Sequence, residues 1–138
     1  VFVPMMIEQK FGRISAITST SAKQPIENLV LSNTTRLGVI GYLKTLSNEV
    51  CHHNILINTI LPGPTRTERL TELNQSRAKR LNISLDQVEN MWIENIPLQR
   101  LGDPQELALL VAFLLSAINT YITGQVIAVD GGFVKSVL

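Results

Sequence analysis

Leu31-Ser32-Asn33-Thr34-Thr35-Arg36-Leu37-Gly38-Val39-Ile40-Gly41-Tyr42-Leu43-Lys44-Thr45-Leu46 is the stretch around which the chain is arranged. Its apolar residues recur at helical intervals, with Val39, Tyr42, Leu43, Leu46 and Val50 forming one stripe. The helix is expected from about Asn28 to about Cys51. Ser32 and Arg36 are one turn apart and share a face of it. Gly38 and Gly41 each cost a helix roughly 1 kcal/mol relative to alanine. A helix that keeps both is expected to have another backbone pressed against it.

On the N-terminal side, Met5, Met6, Ile7 and Lys10 read as the tail of a helix, stopped by Phe11-Gly12. Arg13 to Ser19 follows as a short run with few charges and reads as a buried strand. Thr20 to Glu27 is a polar loop containing Pro25. On the C-terminal side, His52 and His53 stand at the negative end of the helix dipole, where positive charge is favoured. Adjacent histidines point to different sides of a helix and no third ligand is nearby, so no metal site is expected.

Ile55-Leu56-Ile57-Asn58-Thr59-Ile60-Leu61 is the clearest strand, rich in branched aliphatics and closed by Pro62-Gly63-Pro64. From Thr65 to Arg80 arginines and glutamates alternate without aromatics. That pattern suits a solvated helix and not a nucleic-acid surface. Ser84-Leu85-Asp86-Gln87 has capping-box spacing and opens a helix to about Asn95. Asp103-Pro104-Gln105-Glu106 opens the next one with an acid cap and a proline in the first turn. Leu107 to Leu115 is nearly all apolar, so that helix is expected to be buried on most sides. Gly124 releases a last strand, Gln125 to Val129, closed by Asp130-Gly131-Gly132.

Strand, helix, strand, helices, strand is the order of a parallel sheet with crossover helices. Ligands of such sheets bind outside the carboxyl ends of the strands, which directs attention to Ser19, Ser32 and Gly63. At 138 residues, 45% apolar and 17% charged, the chain is one globular domain at most. Lys and Arg total 12 against 11 for Asp and Glu, which gives no electrostatic reason to expect nucleic acid or an anionic membrane. One cysteine, no signal-peptide pattern and no apolar run of membrane-spanning length lead to a cytoplasmic expectation. The sequence holds no Gly-x-Gly-x-x-Gly and no Walker loop.

Gly12-Arg13-Ile14 with Ile17-Thr18-Ser19, the Ser32 to Leu46 helix, Asn58 and Pro62-Gly63, Gly102-Asp103-Pro104-Gln105-Glu106, then Gly124 and Val129-Asp130-Gly131-Gly132 fall in one order. That order resembles the C-terminal half of the short-chain dehydrogenase/reductase family, nearest the 3-oxoacyl-acyl-carrier-protein reductase branch. The resemblance covers essentially the whole chain. It implies an α/β fold: the C-terminal half of a doubly wound, Rossmann-like parallel sheet, with about three parallel strands and crossover helices. Residues 1–138 are then a single partial domain whose N-terminal dinucleotide-binding half is absent.

The family's catalytic group is a serine, a tyrosine thirteen residues on and a lysine four beyond that. By this resemblance Ser19 fills the serine position, Ser32 stands where the tyrosine belongs and Arg36 where the lysine belongs. Tyrosine suits the family's proton relay because its pKa of about 10 can be drawn down by a nearby cation. A serine hydroxyl is less acidic and shorter, and arginine exchanges no proton at ordinary pH, though Arg36 retains the charge to hold cofactor ribose. Tyr42 does not substitute, being about 15 Å further along the helix and on another face. Pro62-Gly63-Pro64-Thr65-Arg66-Thr67 resembles the family loop that receives the nicotinamide and pyrophosphate, so Pro62, Gly63, Thr65 and Thr67 are expected to touch cofactor.

The resemblance implies that the full-length parent is an NAD(P)-dependent oxidoreductase acting on a small carbonyl or alcohol. This chain alone is expected to be inactive and to bind no cofactor. The alternative is a non-catalytic relative serving as an oligomerisation or binding module. The helix around Gly38 and Gly41, and the segment from Ala108 to Ala128, resemble the family's subunit interfaces, so a homo-oligomer, dimer or tetramer, is expected.

Overall fold

The computed structural model describes residues 1–137. In chain order the elements are α1 (Phe2–Gln9), β1 (Gly12–Ile17), α2 (Val30–Val50), β2 (Ile55–Pro62), α3 (Glu68–Leu81), α4 (Leu85–Ile93), α5 (Pro104–Leu115) and β3 (Val126–Val129). Short 3-10 turns at Thr20–Ala22 and Cys51–His53 follow β1 and α2. The three strands form one parallel sheet in the order β1-β2-β3. Gly12 pairs with Ile55 and Ser15 with Asn58 on one side of β2, and Thr59 pairs with Val126 on the other. Parallel neighbours need crossovers: α2 joins β1 to β2, and α3, α4 and α5 intervene before β3.

Central placement explains the composition of β2. A strand covered on both faces has no polar side, and Ile55, Ile57, Ile60 and Leu61 are almost completely buried. Each contributes about 1.5–3 kcal/mol through that burial. Side chains alternate across a strand. Ile55 and Ile57 meet Val50 of α2, joined by Ile14, Leu43, Leu46 and Val3, Met6 and Ile7 of α1. Arg13, on the face opposite Ile14, donates to the carbonyl of Asn119 just after α5, so α5 covers the second face.

Four expectations are corrected here. First, α1 is stopped by Lys10 in the left-handed conformation (φ 52°), not by Gly12. Gly12 instead begins β1, where a Cβ would lie 2.6 Å from Met6 Sδ. Second, β1 is an edge strand of the described sheet rather than a buried one: only Gly12 is buried and Ile17 is 56% exposed. Third, the inward stripe of α2 is rotated from the apolar reading. Ser47 and Val50 are its buried residues, with Ser32, Arg36, Ile40 and Leu43 half-buried, whereas Tyr42 is 67% exposed and Val39 also faces out. Among the described residues a Cβ at Gly38 or Gly41 would meet nothing within 4 Å, so no backbone among them presses on either glycine. Fourth, α5 buries only Leu114, and Leu109 is 74% exposed. An all-round apolar helix has more apolar surface than one sheet face covers.

The capping expectations hold. Ser84 Oγ accepts from Gln87 N–H while Gln87 Oε1 accepts from Ser84 N–H. Glu106 Oε2 accepts from Asp103 N–H at 2.8 Å, with Pro104 in the first turn. No helix of the described residues is long and apolar enough to cross a membrane.

Candidate active site

The carboxyl ends of the three strands gather the segments the sequence singled out. β1 continues its pairing one step beyond the strand, Thr18 N–H donating to Ile60 O at 2.9 Å. Ser19 then adopts an extended conformation and caps the Thr20–Ala22 turn, its Oγ accepting from Ser21 N–H at 3.1 Å. Thr20 Oγ1 donates to the carbonyl of Pro62 at 3.2 Å, so the turn after β1 is fastened to the end of β2.

Ser32 and Arg36 meet as their spacing requires, Arg36 Nε donating to Ser32 Oγ at 2.9 Å. Arg36 Nη1 also donates to the carbonyl of Thr18, which ties α2 to the end of β1 beside Ser19. Among the described residues no hydrogen bond joins Ser19 to Ser32 or Arg36. The three positions are brought to one end of the sheet but not linked into a proton path. Two of the donor groups on Arg36 are occupied by the protein itself.

Pro62 ends β2, and Gly63, Thr65 and Thr67 lie on the loop between it and α3. Gly63 N–H donates to Val129 O at 3.0 Å, and a Cβ on Gly63 would stand 2.6 Å from Asp130 Cβ and 2.7 Å from its Cα. Only glycine fits there. Asp130 is fixed in turn, its carboxylate accepting from Gly132 N–H (3.0 Å) and Val134 N–H (2.8 Å) across glycines with φ of 62° and 86°. Thr65 Oγ1 donates to Gly63 O at 3.0 Å. Thr67 caps α3, its Oγ accepting from Leu70 N–H and donating to Thr65 O, each at 3.3 Å. The backbone N–H groups of Thr65 and Thr67 take no hydrogen bond among the described residues, and both stand before the N-terminus of α3. Free amides ahead of a helix start are a fitting place for phosphate oxygens. Beside them is a cavity of about 360 Å³ reached by Arg66, Thr67, Leu70, Asn74 and Glu89. Its inner wall is Asn74, which is 7% exposed and accepts from Trp92 Nε1 at 2.9 Å.

Sequence reasoning treated Gly102 to Glu106 only as a helix start within a family pattern. The structure gives this segment a second role. Gly102 N–H donates to Pro64 O at 3.0 Å and Arg66 N–H donates to Gly102 O at 2.9 Å. Arg100 holds Glu106 with both terminal nitrogens, at 2.8 and 2.6 Å. Those bonds, with the Asp103 N–H, lower the Glu106 carboxyl to a pKa of about 2 and raise that of the Arg100 guanidinium. Opposite charges bracketing a glycine, Arg100-x-Gly102-Asp103-x-x-Glu106, was the signal available in the sequence. His52 and His53 stack on one another, ring centroids 3.9 Å apart, and no group of three or more metal-ligating side chains occurs among the described residues.

Known proteins resemble this chain over most of its length. Residues 1–134 match the family model described as enoyl-(acyl carrier protein) reductase. The chain is 35% identical over 133 residues to the NADPH-dependent reductase BacG of Bacillus subtilis (strain 168), covering 96% of this chain and 51% of that protein. It is 36% identical over 127 residues to the 3-oxoacyl-[acyl-carrier-protein] reductase FabG of Aquifex aeolicus (strain VF5), covering 92% and 47%. The crystal structure of YwfH, an NADPH dependent reductase involved in bacilysin biosynthesis, superposes with a TM-score of 0.90 at 33% identity, over 97% of this chain and 51% of that one. The chain thus spans about half the length of the curated relatives it matches.

Proposed function

The chain belongs to the short-chain dehydrogenase/reductase family, in its 3-oxoacyl-acyl-carrier-protein reductase-like branch, and from that we propose that the polypeptide carrying it is an NAD(P)-dependent oxidoreductase of small carbonyl or alcohol substrates. Residues 1–138 are one partial domain of that enzyme, the dinucleotide-binding half lying outside this sequence. The observation that carries this is the Pro62–Thr67 loop. Its glycine is pressed on Asp130 and its amides at Thr65 and Thr67 are free before α3.

In this reading the nicotinamide cofactor supplies or accepts the hydride when bound. Pro62 and Gly63 would form the floor for the nicotinamide, their position set by the close approach of Asp130 that the missing Gly63 Cβ allows. Thr65 and Thr67 receive the pyrophosphate through their N–H groups, aided by the positive end of α3. Ser19 hydrogen-bonds the carbonyl oxygen of the substrate, and Arg36 places positive charge beside it and beside the ribose. Neither Ser32 nor Arg36 reproduces the tyrosine relay of the family, so turnover is expected to be slower than with one. The cavity between α3 and α4 admits the substrate.

One observation favours the second reading, a non-catalytic relative. Arg36 is turned onto Ser32 Oγ and the Thr18 carbonyl, a structural fastening rather than a free cation. The pair Ser32→Tyr with Arg36→Lys in the full polypeptide separates the readings. The first predicts NADPH oxidation by the unmodified protein on a carbonyl panel, increased in the double variant by about a hundredfold, in line with a restored proton relay. Activity in the double variant alone supports the second. This chain by itself is expected to bind NADPH weakly or not at all, which calorimetry checks; micromolar binding would contradict the partial-domain assignment.

Association with a second copy completes the proposal. Val30, Leu31 and Tyr42 on α2, and Leu109, Ile118 and Tyr121 on and after α5, are strongly exposed apolar side chains. Patches of this kind mark association surfaces. Sedimentation is expected to show a dimer or tetramer; a clean monomer at high concentration would count against it.

A further inference from the structure

The Pro62–Thr67 loop has no ladder of its own after β2 ends, yet its shape is set from two sides. One side is Gly63 against Asp130. The other is Gly102, which exchanges two backbone hydrogen bonds with Pro64 and Arg66 as an isolated parallel bridge. A two-bond bridge between loops opens readily unless one partner is itself held. Gly102 is held. Arg100 and Glu106 close over it through a bidentate pair, Glu106 Oε2 also takes Asp103 N–H, and Arg100 Nη1 donates to Leu101 O at 3.1 Å. Leu101, 2% exposed, roots the same segment among Ile96 and Phe133. Arg66 adds a strut from the loop side, reaching Asp103 Oδ1 at 3.3 Å.

Exposed ion pairs in general contribute little. Arg69–Glu72 is of that kind: one contact at 3.2 Å along a single helix, joining nothing. Arg100–Glu106 differs in what it connects. Its fork geometry fixes orientation as well as distance, and the ring it closes aims both polar groups of Gly102 at the loop.

We infer that Arg100 and Glu106 are positioning residues: by clasping the segment around Gly102 they hold the Pro62–Thr67 loop in the shape that presents Thr65 and Thr67 to the cofactor. The clasp stands on the geometry alone, and its consequence for cofactor rests on the function proposed above. This role requires neither residue to touch substrate or cofactor.

The test is amide hydrogen exchange on the natural polypeptide that carries this chain, without cofactor, followed by NADPH titration. Glu106→Gln keeps an oxygen for the Asp103 N–H but removes the charge, and Arg100→Met removes the fork. Both are expected to lower protection of the Arg66 and Gly102 amides by tenfold or more while Ile60 and Ala128 are unchanged. Arg100→Lys restores part of the loss, and Glu72→Gln leaves all four amides as they were. Unchanged protection at Arg66 and Gly102, or an equal loss at Ile60 and Ala128, would overturn the clasp. In the same clasp variants the NADPH dissociation constant is expected to rise threefold or more. Loss of protection with an unchanged dissociation constant would overturn the positioning role. A polypeptide that binds no NADPH in any form, with the protection loss present, would refute the cofactor reading and leave the clasp.

Discussion

Two regions meet at the carboxyl end of the sheet, and they differ in how their polar groups are held. The Pro62–Thr67 loop retains a glycine that nothing larger can replace, free amides before a helix, and anchors on both flanks. In the Ser19–Ser32–Arg36 region no hydrogen bond links Ser19 to the other two among the described residues, and the Arg36 cation is turned onto Ser32 Oγ and the Thr18 carbonyl. Holding a cofactor and moving a proton are therefore separable requirements on one fold. In the proposed function the first would rest on backbone shape and the second on particular side chains.

The largest expected effect sharpens the loop side of that contrast. Gly63→Ala forces a methyl into Asp130 and is expected to cost about 1–3 kcal/mol, as overpacking does, seen as a lower denaturant midpoint. A neutral result would mean the loop yields and was never rigid. Arg36→Met probes the other side. Removing a charged donor from Ser32 and the Thr18 carbonyl is expected to cost about 1.5 kcal/mol. If stability is unaffected, the fastening is not structural and the arginine is available for chemistry.

A smaller effect, of opposite sign, comes from α2. Gly41 stands in open space on a helix, so Gly41→Ala is expected to stabilise the protomer by about 1 kcal/mol. A loss of oligomer in the same variant would show that a second copy presses its backbone there. The subtlest prediction is a pH dependence. The Glu106 pKa is lowered from its usual 4.5 to about 2, first by the Arg100 hydrogen bonds and then by the Asp103 N–H. A carboxyl with a depressed folded pKa gives stability that is complete above pH 4.5 and fades as pH falls toward 2. Carboxyl titration by NMR is expected to find Glu106 still ionised at pH 3, and protonated there in Arg100→Met.

Local signals made part of this legible. β2 announced itself because a strand covered on both sides is mostly apolar, Asn58 and Thr59 excepted, and the Ser84 and Asp103 helix starts did so because orphan N–H groups demand nearby oxygens. What escaped depends on partners distant in sequence. Ser47 is buried in α2 while Tyr42 faces out, because the stripe is set by where β2 and the Lys44–Gly124 contact lie, not by hydropathy along the helix. β1 looked buried by composition and is an edge of this sheet, and α5 looked buried and keeps Leu109 outside. Ser19, Ser32 and Arg36 were singled out by the family resemblance, and only the contact between Ser32 and Arg36 followed from their one-turn spacing. The clasp around Gly102 was not legible, because its meaning lies in the loop forty residues earlier that it grips.

The proposed function requires the Pro62–Thr67 loop to be a cofactor seat. The most direct measurement is an NMR footprint of NADPH on the full polypeptide, followed at the amides of Gly63, Thr65 and Thr67. Saturable shifts at these three, larger than those at Arg69 or Ser84, are the predicted result. NADPH binding that leaves them unmoved, or no binding at all, would contradict it.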